Sequence, residues 1–161
     1  MRRMSTAPLD LGLIDAARSH WNRIRAGRPM PSRADLDPVD IPGLLPFTIL
    51  VEVLRGPLDF RYRLLGTALD RIVSRNYKGV RFSDIPHIEK GGKLWSDHET
   101  VCRTCAPLLS AVDYVGPDQF VGELRHGLFP LSSDGSAVNM IWAVAEIGRK
   151  GWEYGGSRLV V

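Results

Sequence analysis

The sequence predicts an α+β domain built on an antiparallel sheet. Three observations support this fold class. The N-terminal part has helical periodicity. Two strand-like runs precede the middle of the chain and three follow it. The middle itself contains short helical signals. Strand runs that flank a helical block favour an antiparallel α+β fold over alternating α/β units. The 161 residues, 44% of them hydrophobic and 24% charged, suit one globular domain.

Residues 9–26 form the predicted N-terminal helix. Its apolar residues Ile14, Ala17, Trp21 and Ile24 recur at helical spacing and therefore lie on one stripe. This stripe can pack on its own domain or pair with the helix of a second copy. We therefore treat these four residues as candidates for a dimer helix.

A connector and a hairpin follow the helix. Residues 29–46 contain five prolines, which exclude a long regular element but leave an ordered connector with apolar anchors. Residues 47–54 are apolar and β-branched, and residues 59–64 alternate between apolar and polar side chains. The short break at Arg55-Gly56-Pro57 predicts that these two strands form a hairpin.

The middle of the chain is predicted to be helical and the last third to be β. Short turns begin near Gly66-Thr67, and a firmer helix covers residues 93–105. Asp134-Gly135 is a strong hairpin-turn signal between the last two strands. The predicted strands of this part are 108–115, 119–131 and 137–147.

This element order resembles the PAS fold, a five-stranded antiparallel sheet with a helical block between strands 2 and 3 and, here, an N-terminal helix. Residues 31–38 (PSRADLDP) and 41–46 (IPGLLP) look like the opening of a family of small stand-alone PAS-like proteins common in alphaproteobacteria. Residues 60–67 (FRYRLLGT) are similar to its second-strand signature, and residues 129–135 (FPLSSDG) to its last hairpin.

The resemblance implies a sensory or protein-interaction module. PAS domains bind small ligands between sheet and helices or bind partner proteins, and often form homodimers through an N-terminal helix. No output module follows in the sequence, so the expected action is through association with a partner signalling protein. The predicted organisation is an arm and helix at 1–28, the PAS domain at 29–147 and a tail at 148–161.

Strand phase and aromatic content give the candidate ligand-pocket residues. Arg63 and Thr67 flank the end of the second strand, where an arginine could hold a carboxylate. An ion pair from Arg63 to Asp35 or Asp37 in the connector is the favoured alternative. The full set of pocket candidates is Tyr62, Arg63, Leu64, Thr67, Ile72, Val73, Trp95, Tyr114, His126 and Trp142.

The last predicted strand carries apolar residues on both faces, with Trp142 and Val144 on one and Ile141 and Ala143 on the other. A sheet with one face in water should alternate apolar and polar residues, so both faces are expected to be covered. The helical block covers one face. The N-terminal helix or a second subunit covers the other, and the latter arrangement predicts a homodimer.

Two alternatives to a plain interaction module remain open. His98 lies on the helix before the third strand, where haem-binding PAS proteins carry a ligand, so a haem sensor is one alternative. His126 between Leu124 and Leu128 could act as the base of a small enzyme on a cone-like fold. An enzyme is not expected, because the sequence has no nucleophile elbow, phosphate-binding loop or paired acid and base.

Metal, nucleic-acid and membrane functions are not expected. Cys102 and Cys105 form a C-x-x-C at the end of a helix, where the dipole disfavours a thiolate, and no second pair completes a zinc site. The net charge is +3 and the arginines are scattered. No apolar run approaches membrane-spanning length and no signal peptide is recognisable, so a cytoplasmic location is expected.

Overall fold

A five-stranded antiparallel sheet forms the centre of the chain. The computed structural model describes residues 6–149, 152–153 and 158–159, with side chains described for 12–148. The strand order is β2-β1-β5-β4-β3. The strands are β1 (Thr48–Leu54), β2 (Asp59–Leu65), β3 (Leu108–Asp113), β4 (Val121–Leu131) and β5 (Met140–Arg149).

Within the described residues, three α-helices accompany the sheet: α1 (Thr6–Arg25) precedes it, and α2 (Thr67–Asp70) and α3 (Lys93–Thr104) lie between β2 and β3. A 3₁₀ turn at Phe82–Asp84 belongs to the same helical block. The predicted α+β fold, with a helical block between strands 2 and 3 and an N-terminal helix, is confirmed. None of the helices within the described residues combines the length and apolarity that crossing a membrane requires.

The last hairpin shows why β5 begins later than the predicted strand. The Asp134 carboxylate accepts hydrogen bonds from the backbone N–H groups of Ser136 and Ala137, at 2.8 and 2.9 Å. These bonds hold the turn together as far as residue 137, so regular pairing starts only at Met140. At its other end β5 continues to Arg149, two residues into the predicted tail. Otherwise only two short paired strands, β6 (Trp152–Glu153) and β7 (Arg158–Leu159), fall within the described residues of 148–161.

The connector between α1 and β1 is ordered, as predicted. Asp35 accepts from the Ser32 N–H and from the Arg28 guanidinium, both at 2.8 Å. The hydrogen bond from the Ser32 backbone and that from Arg28 lower the pKa of the Asp35 carboxyl. The end of the connector also lies tightly against Gly66, where a Cβ atom would stand 2.3 Å from the Leu45 carbonyl oxygen. Only glycine fits this contact.

The sheet is covered on both faces within one chain. On one face, α1 packs over β4 and β5, and Trp21 lies 6.5 Å from Phe129 and donates a 2.8 Å hydrogen bond to the Pro130 carbonyl. On the other face, the helical block packs through Phe82 and Trp95. Both faces are therefore covered, as expected. The helical block covers one face, and α1 covers the other.

Candidate functional site

An aromatic cluster fills the space between the sheet and the helical block. Phe60 of β2 lies at its centre, with ring centroids 5.4 Å from Phe82 and 5.3 Å from Trp95. Tyr62 continues the cluster, 4.9 Å from Phe82 and 6.1 Å from Tyr77. Because Phe60 and Phe82 are fully buried, this part of the interior is a packed core.

His98 of α3 is enclosed by this core. Its ring stands 5.0 Å from Phe82, 5.4 Å from Phe60 and 6.3 Å from His126, and its Nδ1 lies 2.8 Å from the Leu94 carbonyl oxygen. Burial, and after it the neighbouring His126, lowers the pKa of His98 to about 4. A porphyrin on His98 would have to displace these rings.

A polar network joins α3 to β3 and β4 at the edge of this core. Asp97 accepts two 2.8 Å hydrogen bonds from the Lys93 ammonium and lies 3.4 Å from Nε2 of His126. Lys93 also hydrogen-bonds Ser110. Burial acts to raise the pKa of the Asp97 carboxyl, but the bonds from His126, Lys93 and Ser110 outweigh it and hold that pKa well below its usual range.

This network has part of what an acid–base site needs. The buried His126 has a second titratable group, Asp97, beside it. Neither residue lines the open cleft between the β1–β2 hairpin and the helical block, and the Lys93 ammonium already neutralises Asp97. The arrangement suits a polar staple between helix and sheet.

That cleft has a volume of about 360 Å³ and lies between the β1–β2 hairpin and the helical block. The hairpin contributes Leu58 and Asp59, the segment before α3 contributes Arg81 and Lys90, and α3 contributes the buried Trp95. The Lys90 ammonium stands 5.7 Å from the centre of the Trp95 ring. Cationic, aromatic and apolar groups thus converge on one open site.

The structure only partly groups the predicted pocket residues. Tyr62, Val73 and Trp95 belong to the main core, and His126 borders it. Ile72 and Tyr114 lie in a second, smaller cluster, where the Tyr114 hydroxyl donates to the Ile72 carbonyl. Among all ten candidates Trp95 is the one that lines the cleft. Ligand binding by this set stays a prediction.

Four of the candidates lie elsewhere. Trp142 is fully buried on the opposite face of the sheet, 5.9 Å from His20 of α1, because alternation along β5 turns it away from the helical block. Arg63 is exposed and its carboxylate partner is Glu52, at 3.5 Å, so the expected pair with Asp35 or Asp37 is wrong. Leu64 is 39% exposed and Thr67 is also exposed, so neither faces the interior.

The dimer-helix candidates pack within their own chain. Ile14, Ala17 and Trp21 are buried against the sheet, and Ile24 packs partly buried against the same core. Of the two arrangements that the sequence leaves open for this stripe, the structure shows packing on its own domain. Dimerisation through it would require α1 to leave the sheet.

The two cysteines occupy structural positions. Cys105 caps α3 in the left-handed conformation, with φ 55°, and burial raises the pKa of the Cys102 thiol to about 11. Neither feature favours a reactive thiolate. Within the described residues, no group of three His, Cys, Asp or Glu side chains is arranged to hold a metal ion.

Several important residues were missed by the sequence reasoning. Asp97, which lies 29 positions from the predicted His126 and contacts it, was not a candidate, and neither was Glu146, which interrupts the apolar face of β5 to reach under α1. A signal for Glu146 was present, because a lone carboxylate in an apolar strand must find a partner. No sequence signal marks Arg81 and Lys90 as neighbours of Trp95.

The comparisons with known proteins agree with the fold. The family model described as PAS domain matches residues 13–143, from the middle of α1 into β5. No curated protein and no solved structure matches the chain. The family match covers well over half of the chain and includes strands β1 to β4, the start of β5 and the helical block. The chain therefore belongs to the PAS domain family.

Proposed function

We propose that this chain is a non-catalytic sensory and interaction module that relays a signal by binding a partner protein, with α1 as a cover that can leave the sheet. Membership of the PAS family supports a sensory or interaction role in general. The resemblance to stand-alone bacterial PAS proteins supports a place in cytoplasmic signalling. The observation that carries the proposal is the way α1 is attached.

A buried carboxylate holds the N-terminal half of α1. Glu146 of β5 is 5% exposed, and its Oε2 accepts a 3.1 Å hydrogen bond from the backbone N–H of Ile14. Its Oε1 is paired with the Arg125 guanidinium. A carboxylate is costly to remove from water, so this attachment contributes less net stability than an apolar contact of the same area.

A second polar group weakens the same contact. Nε2 of His20 is buried beneath α1 and has no hydrogen-bond partner among the described residues, while Nδ1 lies 2.7 Å from the Arg23 guanidinium. A buried polar atom without a partner costs on the order of 1–3 kcal/mol. Both groups would form hydrogen bonds to water if α1 left. This lowers the cost of opening α1 relative to the helical block, whose buried Asp97 and His126 are already paired with each other.

An open α1 would present a large apolar surface. Phe129 and Trp142 are fully buried beneath it, and the helix carries its own stripe of Ile14, Ala17 and Trp21. A partner protein can bind either surface, and a second copy is the simplest partner, which gives the homodimer of the sequence analysis. The buried acids Asp97, Asp59 and Glu146 are held in structural hydrogen bonds, which supports a role without catalysis.

Gly127→Ala tests the proposal directly. A Cβ at Gly127 would stand 2.8 Å from the Phe129 ring and 3.0 Å from Cγ2 of Ile14, so it would act as a wedge under α1. The matched control is Gly43→Ala, because nothing lies within 4 Å of a Cβ there. Hydrogen exchange measures the opening of α1, and native mass spectrometry reports subunit count.

We expect the α1 amides of Gly127→Ala to exchange at least tenfold faster while the amides of β1 and β5 stay protected, and the dimer fraction to rise. Gly43→Ala should match the unmodified protein in both measurements. If α1 and the sheet lose protection together in Gly127→Ala, α1 is an integral part of the core and the proposal is wrong.

A further inference from the structure

We propose that the cleft between the β1–β2 hairpin and α3 binds a small organic anion, a carboxylate or phosphate attached to a short apolar body. This deepens the proposed function, on which it rests, by naming the chemical class of the input. The site differs from the aromatic interior, which is packed. Its volume of about 360 Å³ lies within the range of ligand sites.

Two cations supply the charge for such a ligand. Arg81 and Lys90 line the cleft, and within the described residues neither makes an ion pair with a carboxylate. By contrast, the nearby Arg61 on β2 is paired with Glu52 at 2.9 Å. A guanidinium and an ammonium that face one open space can bind an anion together, the guanidinium through two parallel hydrogen bonds.

The single carboxylate of the cleft, Asp59, is already engaged. Asp59 is 8% exposed, and it accepts hydrogen bonds from the Ser83 hydroxyl, from the Ser83 N–H at 3.4 Å and from the Phe60 N–H at 2.7 Å. These bonds tie the hairpin to the Phe82–Asp84 turn and so fix the cleft walls. They also stabilise the negative charge of Asp59. The two cations of the cleft, Arg81 and Lys90, therefore face a single carboxylate that already has its hydrogen-bond partners.

The apolar side chains that line the cleft indicate the chemistry of the rest of the ligand. Leu58 and Ile88 form walls, and Trp95 lies below the Lys90 ammonium, which its ring holds by a cation–π contact. An inorganic anion alone would leave these walls unused. A flat or short hydrocarbon body that carries one anionic group matches both parts of the cleft.

The cleft is connected to the rest of the core through Trp95. This indole packs edge-on against Phe60, whose strand β2 pairs with β1, and β1 pairs in turn with β5 beneath α1. A ligand that orders the hairpin and Trp95 could therefore bias the packing of the sheet. The route is a contiguous chain of contacts, and its coupling strength is a quantity to measure.

The experiment is a titration of the uniformly ¹⁵N-labelled full chain with three probes of similar shape. Benzoate carries a carboxylate, phenyl phosphate carries a phosphate and benzamide is neutral. We expect saturable shifts of the Arg81, Ser83 and Lys90 amides and of the Trp95 indole N–H with one or both anions, and none with benzamide. The stronger anion tells whether the site prefers carboxylate or phosphate.

Arg81→Gln and Lys90→Gln should each weaken binding of that anion about tenfold, as expected for loss of one charge-assisted hydrogen bond. Lys78→Gln is the matched control, since Lys78 is exposed and does not line the cleft. Both cleft residues are also exposed, and dispersed amide spectra would verify that the variants fold. The comparison of benzoate with benzamide needs no variant at all.

The proposal is overturned if neither anion gives saturable shifts at the cleft, if benzamide binds as tightly as benzoate, or if both variants keep the original affinity. Failure of this proposal can be distinguished from failure of the proposed function, in which α1 leaves the sheet. Hydrogen exchange of α1 with and without bound anion reports coupling, whereas the Gly127→Ala wedge tests α1 opening with no ligand present.

Discussion

The two faces of the sheet are covered in different ways. The helical block covers its face with interlocking rings, and Phe60 alone contacts Phe82, Trp95 and His98. The α1 face has a fully buried Trp142 and Phe129, and two buried polar groups lie beside them. Glu146 bonds to the helix backbone, and His20 has one ring nitrogen without a partner in the part of the chain that the structure describes.

This difference is the basis of the proposal that the helical block is a permanent cover and α1 a removable one. Both faces bury polar groups, but Asp97 and His126 beneath the helical block are paired with each other, whereas Nε2 of His20 beneath α1 has no partner within the described residues. A buried polar group without a partner gains a hydrogen bond to water on opening, and a paired one has to lose a bond first. The cover that buries the unpartnered nitrogen, α1, is therefore the one for which we expect the lower opening free energy. Local opening of this kind is detectable as an exchange rate that differs between elements of one domain.

The largest expected effect comes from removing one large ring on each face. Phe60→Ala and Phe129→Ala delete side chains that are both fully buried, and each should lower stability by about 3–5 kcal/mol. Phe60→Ala should lower the global free energy of unfolding in urea. Phe129→Ala should first raise exchange in α1. Identical exchange maps for the two variants would remove the distinction between the faces.

Acidification should destabilise the aromatic face next. Because His98 has a pKa of about 4 when folded and about 6.5 when unfolded, the folded state binds fewer protons between these values, and stability falls as the pH drops through this window. At pH 5 the loss is about 2 kcal/mol relative to pH 7. Urea unfolding at both pH values measures it.

His98→Gln should remove this part of the pH dependence. Burial, then Arg23, lowers the pKa of His20, against an opposing effect of Asp40, so His20 contributes a loss of the same sign on the α1 face. Exchange at pH 5 should therefore rise in α1 even in His98→Gln. A pH profile left unchanged by His98→Gln contradicts the assignment of the larger loss to His98.

Glu146→Gln should have an intermediate effect that is confined to α1. The amide keeps the shape but loses the charge in the bonds to the Ile14 N–H and to Arg125, at a cost of about 1–2 kcal/mol. Glu123→Gln on the neighbouring strand is the control, because Glu123 is exposed. Hydrogen exchange of α1 checks the result, and equal exchange in the two variants would show that Glu146 does not hold the helix.

The smallest effect is expected from Lys93→Gln. Its ammonium is bound to Asp97, but the side chain is 60% exposed, and such ion pairs contribute at most about 1 kcal/mol. Urea unfolding should show a change below this value with α1 exchange unaffected. A larger loss would mean that the Asp97 network, rather than the rings, holds α3 to the sheet.

The sequence predicted the fold well because the fold depends on local patterns. The alternation around Phe60 and Tyr62, the turn at Asp134-Gly135 and the helical stripe of α1 are each contained within one element. The candidate pocket was predicted less well. Strand phase placed Tyr62 correctly, yet it could not tell that Trp142 faces α1, since that requires knowing which face each cover occupies.

The sequence by itself determined the α+β architecture, the order of the elements and the presence of two covers, because periodicity and turn chemistry act over a few neighbouring residues. Only the tertiary structure decided which residues each cover contacts on the sheet. The Glu146 bond to Ile14 joins residues 132 positions apart, and the cleft assembles Asp59, Arg81 and Trp95 from separate elements. Such long-range contacts depend on the order in which the chain crosses the sheet, which no local sequence pattern encodes.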